Sequence, residues 1–179
     1  MKDVLKPILV LGIICMVVTA MLAFVNMKTQ PVIRKAEEQA AAAARSEVLK
    51  EAKHFKKLPL DGMPEGVTEL YKGDDKGKDA GYVVITEVKG YGGVIRMICG
   101  IRTDGTLEAL KILSHSETSG VGTKAVDNNS GYRDKFVGTD SGTYSKVDTI
   151  SGATISSSAV KKGVGLAFEA YGIITEGTV

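Results

Sequence analysis

From Gly81 to Ser114 the chain reads GYVVITEVKGYGGVIRMICGIRTDGTLEALKILS. Residues 81–89, 93–103 and 106–114 are rich in Val, Ile, Tyr and Leu, and glycine-containing turns such as Thr103-Asp104-Gly105 separate them. That is the pattern of consecutive β-strands. The intervals leave no room for crossover helices, so the strands must pair antiparallel, and a classical parallel nucleotide-binding sheet is excluded for this part. Downstream, Val160, Val164, Phe168 and Tyr171 fall on one face of a helix predicted over Ser156–Tyr171, with serines at its start where capping hydroxyls belong. Between lie a polar loop, His115 to Gly122, and a helical piece carrying Tyr132 and Phe136 near residues 125–137. Upstream, Pro59, Gly62, Pro64, Gly66 and the polar run Lys72 to Asp79 make residues 58–80 a loop, with at most one strand around Val67 to Tyr71.

Further toward the N-terminus, Val32 to about Lys57 is rich in Ala, Glu, Lys, Arg and Leu and lacks glycine, so it predicts a helix that starts after Pro31. It reads either as a spacer, about 35–40 Å long if straight, or as the first helix of the fold. Pro7 to Met27 is a run of 21 residues without a charge, long enough as a helix to cross the ~30 Å hydrocarbon core of a bilayer. The competing reading is a cleaved signal peptide, favoured by the basic Lys2 and Lys6 and the small residues near Thr19 to Ala23, but the run exceeds the ~7–15 residues of a signal core. Lys2 and Lys6 before the run are balanced by Lys28, Arg34 and Lys35 after it, so basic charge does not set the orientation.

The 179 residues suit one domain of about 100–150 residues plus an extra segment. Net charge is only +2, with Lys and Arg interspersed among Asp and Glu, so no footprint for a nucleic acid is present. The two cysteines, Cys15 in the apolar run and Cys99 in a strand, read as small hydrophobes and provide neither a disulfide framework nor a Cys-based metal site. No G-x-G-x-x-G loop follows a strand, which argues against a stand-alone nicotinamide-dependent reductase. The expected fold class is α+β: an N-terminal transmembrane helix, a further helix, and a mainly antiparallel sheet with flanking helices. The expected divisions are residues 1–27, a connector at 28–79 and a domain at 80–179.

The chemistry-bearing stretch is Asp148-Thr149-Ile150-Ser151-Gly152-Ala153-Thr154, immediately before the C-terminal helix. Small neighbours leave the Thr154 hydroxyl accessible, and unpaired N–H groups with the positive helix end suit a phosphate. The plain alternative is a capped helix start after a glycine turn.

That heptapeptide resembles the D-x-x-[S/T]-G-A-T flavinylation motif of the FMN-binding domain shared by the RnfG subunit of ferredoxin:NAD oxidoreductase complexes and the NqrC subunit of sodium-pumping quinone reductases. A second block, His115-Ser116-Glu117-Thr118-Ser119-Gly120-Val121-Gly122, resembles the RnfG-type H-x-E-T-P-G-L-G loop, with Ser119 in place of proline and Val121 in place of leucine. Gly90-Tyr91-Gly92-Gly93 and Tyr132 to Gly138 are weaker matches in the same order. In the family a transferase cleaves FAD and leaves FMN on the final threonine, so the resemblance implies covalent FMN on Thr154. It places Ser151, Gly152 and Ala153 beside the attachment point. Gly120 and Gly122 would let backbone approach the flat ring, and Glu117 and Thr118 would bond its polar edge. No catalytic residue or metal is expected.

The implied role is an electron-transfer subunit of a membrane-bound, redox-driven ion translocase, with no substrate turnover of its own. Its implied partners are membrane and iron–sulfur subunits, plus the flavin transferase during maturation. The implied location is the cell membrane, single-pass, with the FMN domain outside the cytoplasm. The alternatives are an NqrC-like subunit, disfavoured by the short chain and the H-x-E-T loop, and a membrane-tethered binding module without flavin.

Overall fold

The computed structural model describes residues 2–176 and divides after Gln39 into two units. Helix α1, Lys2–Val48, begins in the first and ends in the second. In the first unit every side chain described is exposed, although Ile8 to Val25 is almost wholly apolar. A helical stretch apolar all round with its side chains left exposed suits a lipid surrounding, and the helix is long and apolar enough to cross a bilayer. It fits a single-pass membrane protein. The hydroxyls of Thr19 and Thr29 donate to the carbonyls of Cys15 and Val25, at 2.7 and 3.0 Å, so neither needs water.

Two expectations about this region change. No helix starts at Pro31, because α1 runs through it; the loss of one N–H donor is tolerated between flanking helix-forming residues. Nor does the helix reach Lys57, for it ends at Val48. Leu49 and Ala52, on the stripe that would have continued it, bury instead with Tyr71 and Ile85, and the next residues pair as strand β1, His54–Lys57. Tertiary burial overrides local propensity there.

The second unit is a five-stranded sheet in which each strand pairs antiparallel with the next: β1, β2 (Val67–Asp75), β3 (Lys78–Lys89), β4 (Val94–Arg102) and β5 (Leu107–Ser114). Strand β2 extends past Tyr71, and the polar run read as loop is a hairpin. Its tip is Lys76-Gly77, both at positive φ (52° and 82°), as a tight two-residue turn requires. The ion pair Lys72–Asp79, at 2.7 Å, links its two arms. After β5 come two short turns in place of one helical piece, α2 (Thr123–Val126) and a 3-10 turn at Arg133–Phe136. The long helix α3, Thr154–Glu176, follows.

Both faces of the sheet are covered. Side chains alternate along β3 and β4, so Val84, Val88, Ile95, Met97, Cys99 and Ile101 pack with Val160, Val164, Ala167 and Phe168 of α3. Val83, Ile85 and Ile98 face the other way, onto Ala41, Ala44, Val48 and Leu49 at the end of α1. Tyr132 and Phe136, edge to face at 5.4 Å, complete the core beside α3. This packing fixes the N-terminus of α3 against the loop that leaves β5.

Candidate functional site

Ile150 to Thr154 forms a tight turn whose geometry depends on Gly152, at φ +81°, a conformation side chains rarely adopt. Ser157, fully buried one turn into α3, holds it: its hydroxyl accepts the Ile150 N–H at 3.1 Å and donates to the Ala153 carbonyl at 2.8 Å. Ala153 N–H donates to Ile150 O at 3.0 Å, and Ala153 is buried beneath the turn. Thr154 is thereby raised into solvent as the first residue of α3. Among the described residues its hydroxyl has no hydrogen-bond partner. A 23-residue helix presents its unpaired first-turn N–H groups and positive dipole end there, and its own first turn carries no acidic residue.

Opposite stands the loop from β5. Thr118 O accepts the N–H groups of Gly122 and Thr123, at 3.0 and 3.3 Å, closing a turn on which Gly120 takes φ +80°. Glu117 is only 8% exposed, and both its carboxylate oxygens are committed inward. Oε2 accepts the Ser156 hydroxyl at 2.6 Å and Oε1 the Gly92 N–H at 3.2 Å. One carboxylate therefore joins the loop, the first turn of α3 and the β3–β4 hairpin. Gly122 is required where it stands: a Cβ there would meet Glu117 Oε2 at 2.7 Å and Ser156 Oγ at 3.0 Å. The His115 ring accepts the Glu117 N–H at 3.3 Å and otherwise faces solvent.

Between the two segments lies a cavity of about 520 Å³, lined by Tyr91, Thr118, Val121, Gly122 and residues 152–156. That volume falls among those of small-molecule sites. Of the residues singled out in the sequence, Thr154, Gly152, Ala153, Thr118 and Gly122 line the cavity together. Ser151, Glu117 and Gly120 do not. Glu117 sits behind the wall, and Gly120 takes the positive φ of the loop's turn, where an added Cβ would meet open space. The sequence reading took Tyr91 only as part of a weaker family match, Ser156 and Ile155 only with the start of the helix, and Val121 only as an apolar contact. Their signal is apolar side chains standing out beside a polar motif: Tyr91, Val121 and Ile155 are all at least half exposed.

The donor set fits a phosphorylated planar group: one unbonded hydroxyl, a helix N-terminus for the phosphate and an apolar rim for a ring. Comparison with known proteins points the same way. The FMN-binding domain family model matches residues 90–169, and the RnfG N-terminal region model matches residues 1–48. The chain is 33% identical to a subunit of the Na(+)-translocating ferredoxin:NAD(+) oxidoreductase complex of Acetobacterium woodii, over 95% of this chain and 92% of that one. It is 30% identical to a subunit of the proton-translocating ferredoxin:NAD(+) oxidoreductase complex of Clostridium ljungdahlii, over 93% and 91%. Both relatives bear the designation G within their complexes. The crystal structure of Shewanella oneidensis NqrC covers 70% of each chain at 19% identity, with a TM-score of 0.49.

Proposed function

The chain belongs to the RnfG family of ion-translocating oxidoreductase subunits, and on that premise we propose that it carries one FMN by a phosphoester on Thr154 and relays electrons within such a complex. The observation that carries this reading is the Thr154 hydroxyl, unbonded and exposed on the cavity wall at the start of α3. A flavin transferase would move the FMN half of FAD to that oxygen: the Oγ–P bond forms, the pyrophosphate bond breaks, AMP leaves and the hydroxyl gives up its proton. When bound, FMN supplies the acceptance and donation of electrons. The chain's own part is to bind and orient. The first-turn N–H groups would hold the phosphate, Gly152 and Ser157 hold the turn, and Gly122 lets the loop close on α3.

On this reading the protein turns over no substrate alone and passes electrons between membrane and iron–sulfur partners. Residues 28–179 lie outside the cytoplasm, with the FMN on the unit that begins at residue 40 and includes β1 and β2. The NqrC-like alternative is weaker, because the relatives aligned along nearly the whole chain come from ferredoxin:NAD(+) oxidoreductase complexes. Protein made with and without the transferase tests the proposal. With it, intact mass should rise by one FMN less one water and a flavin absorption band should appear. Unchanged mass and a colourless protein would leave the binding module without flavin as the better reading. A reporter fused after Val179 should behave as exported; cytoplasmic activity would overturn the topology.

A further inference from the structure

One residue on the cavity wall has no role in holding the fold. Tyr91, at the tip of the β3–β4 hairpin, is 70% exposed. Among the described residues it makes no hydrogen bond, ring contact or ion pair, yet it lines the same cavity as Thr154. The stem beneath it is fixed. Gly90 N–H donates to Gly93 O at 2.7 Å, and Gly92 N–H donates to Glu117 Oε1 at 3.2 Å. A Cβ on Gly90 would strike the Glu117 carboxylate, and one on Gly92 the Ser116 carbonyl. Glu117 Oε2 in turn accepts the Ser156 hydroxyl, two residues after Thr154, at 2.6 Å. The position of the hairpin tip relative to the Thr154 turn thus passes through one buried carboxylate. An aromatic side chain left in water on a fixed stem, lining one cavity with Val121 and Ile155, is arranged for a flat aromatic ligand.

We infer that Tyr91 packs against the ring system of the FMN carried on Thr154 and tunes its potential, and that Glu117 is the positioning residue that holds Tyr91 there. The inference rests on the covalent FMN reading above. A phenol in contact with an excited flavin quenches its emission by reversible electron transfer, which a phenyl ring, harder to oxidise, does not do. Contact also keeps water from the ring, and that sets potential.

The test uses the full chain in detergent, made with the transferase, as wild type and as Tyr91→Phe, Tyr91→Ala, Glu117→Gln and Glu117→Ala. Intact mass reports loading, and flavin fluorescence and midpoint potential report contact. Loaded Tyr91→Phe should be brighter than wild type with nearly the same potential; loaded Tyr91→Ala should be brighter and shifted in potential. Glu117→Gln can keep both bonds, its amide oxygen accepting from Gly92 and its NH2 donating to Ser156, and should behave as wild type. Glu117→Ala should move toward Tyr91→Ala. Loaded Tyr91→Ala with wild-type fluorescence and potential would overturn the contact while leaving the attachment intact. A wild-type readout in Glu117→Ala would overturn the positioning role, as would a Glu117→Gln readout like that of Tyr91→Ala. Should Glu117→Ala not fold, the Tyr91 pair and Glu117→Gln decide. A wild type that gains no mass would overturn the attachment, and this inference with it.

Discussion

Three hydroxyls within four residues have three different duties. Ser157 holds the turn, Ser156 anchors the loop through Glu117, and Thr154 is left over. The motif announces the threonine, but only packing shows why neither serine is free to replace it. The two glycines of the loop divide in the same way. Gly122→Ala places a methyl group against Glu117 and Ser156, an overpacking cost of about 1–3 kcal/mol, and should reduce flavin loading. Gly120→Ala meets only backbone strain at φ +80°, about 1 kcal/mol, and should load normally. Thermal melts and loading by mass check the pair; equal loading defects would remove the distinction. From sequence both read as close-approach glycines, because a spacing shows that glycine is present and not which constraint asks for it.

At the scale of elements, the meander was legible because β3 to β5 are rich in Val, Ile and Leu and glycine-containing turns separate them. Strand β1 and the end of β2 were obscured by charge: apart from Phe55 and Gly73, residues 54–57 and 72–75 are polar and lie at a sheet edge and a hairpin end. Part of that charge is a tie between elements. Glu69 on β2 accepts Arg96 Nη2 of β4 at 2.7 Å, stands 3.4 Å from Lys57 Nζ of β1, and bonds the Tyr71 hydroxyl. The Arg45 guanidinium of α1 stacks over the Tyr71 ring at 4.3 Å. Burial works against the Glu69 charge, but the Tyr71 hydroxyl, Lys57 and Arg96 outweigh it and hold this carboxyl below its ordinary 4.5. A lowered folded value means the stabilisation is present above pH 4.5 and is lost as pH falls through that lower value. Glu69→Gln should therefore cost about 1–3 kcal/mol at neutral pH and flatten the acid limb of the stability curve. An acid limb as steep as wild type would remove Glu69 from the tie.

At the scale of the molecule, the apolar helix and the sheet domain were readable as separate parts, but their junction was not. The last turns of α1 belong to the domain core, where Val48 and Leu49 are buried under the sheet. A chain starting at residue 40 should be soluble and unfold cooperatively. One starting at residue 54 loses both side chains, about 1.5–3 kcal/mol each, a large part of a typical domain's stability. Equal melting temperatures would show that α1 adds nothing to the core. The attachment itself is tested most directly on a denaturing gel. Wild type, Thr154→Ser and Thr154→Ala are each incubated with FAD and transferase, then unfolded. Wild type should run as a fluorescent band, Thr154→Ser, which keeps the oxygen, should show how far the missing methyl matters, and Thr154→Ala should be dark while still folding. A fluorescent Thr154→Ala band would contradict the assignment of this hydroxyl.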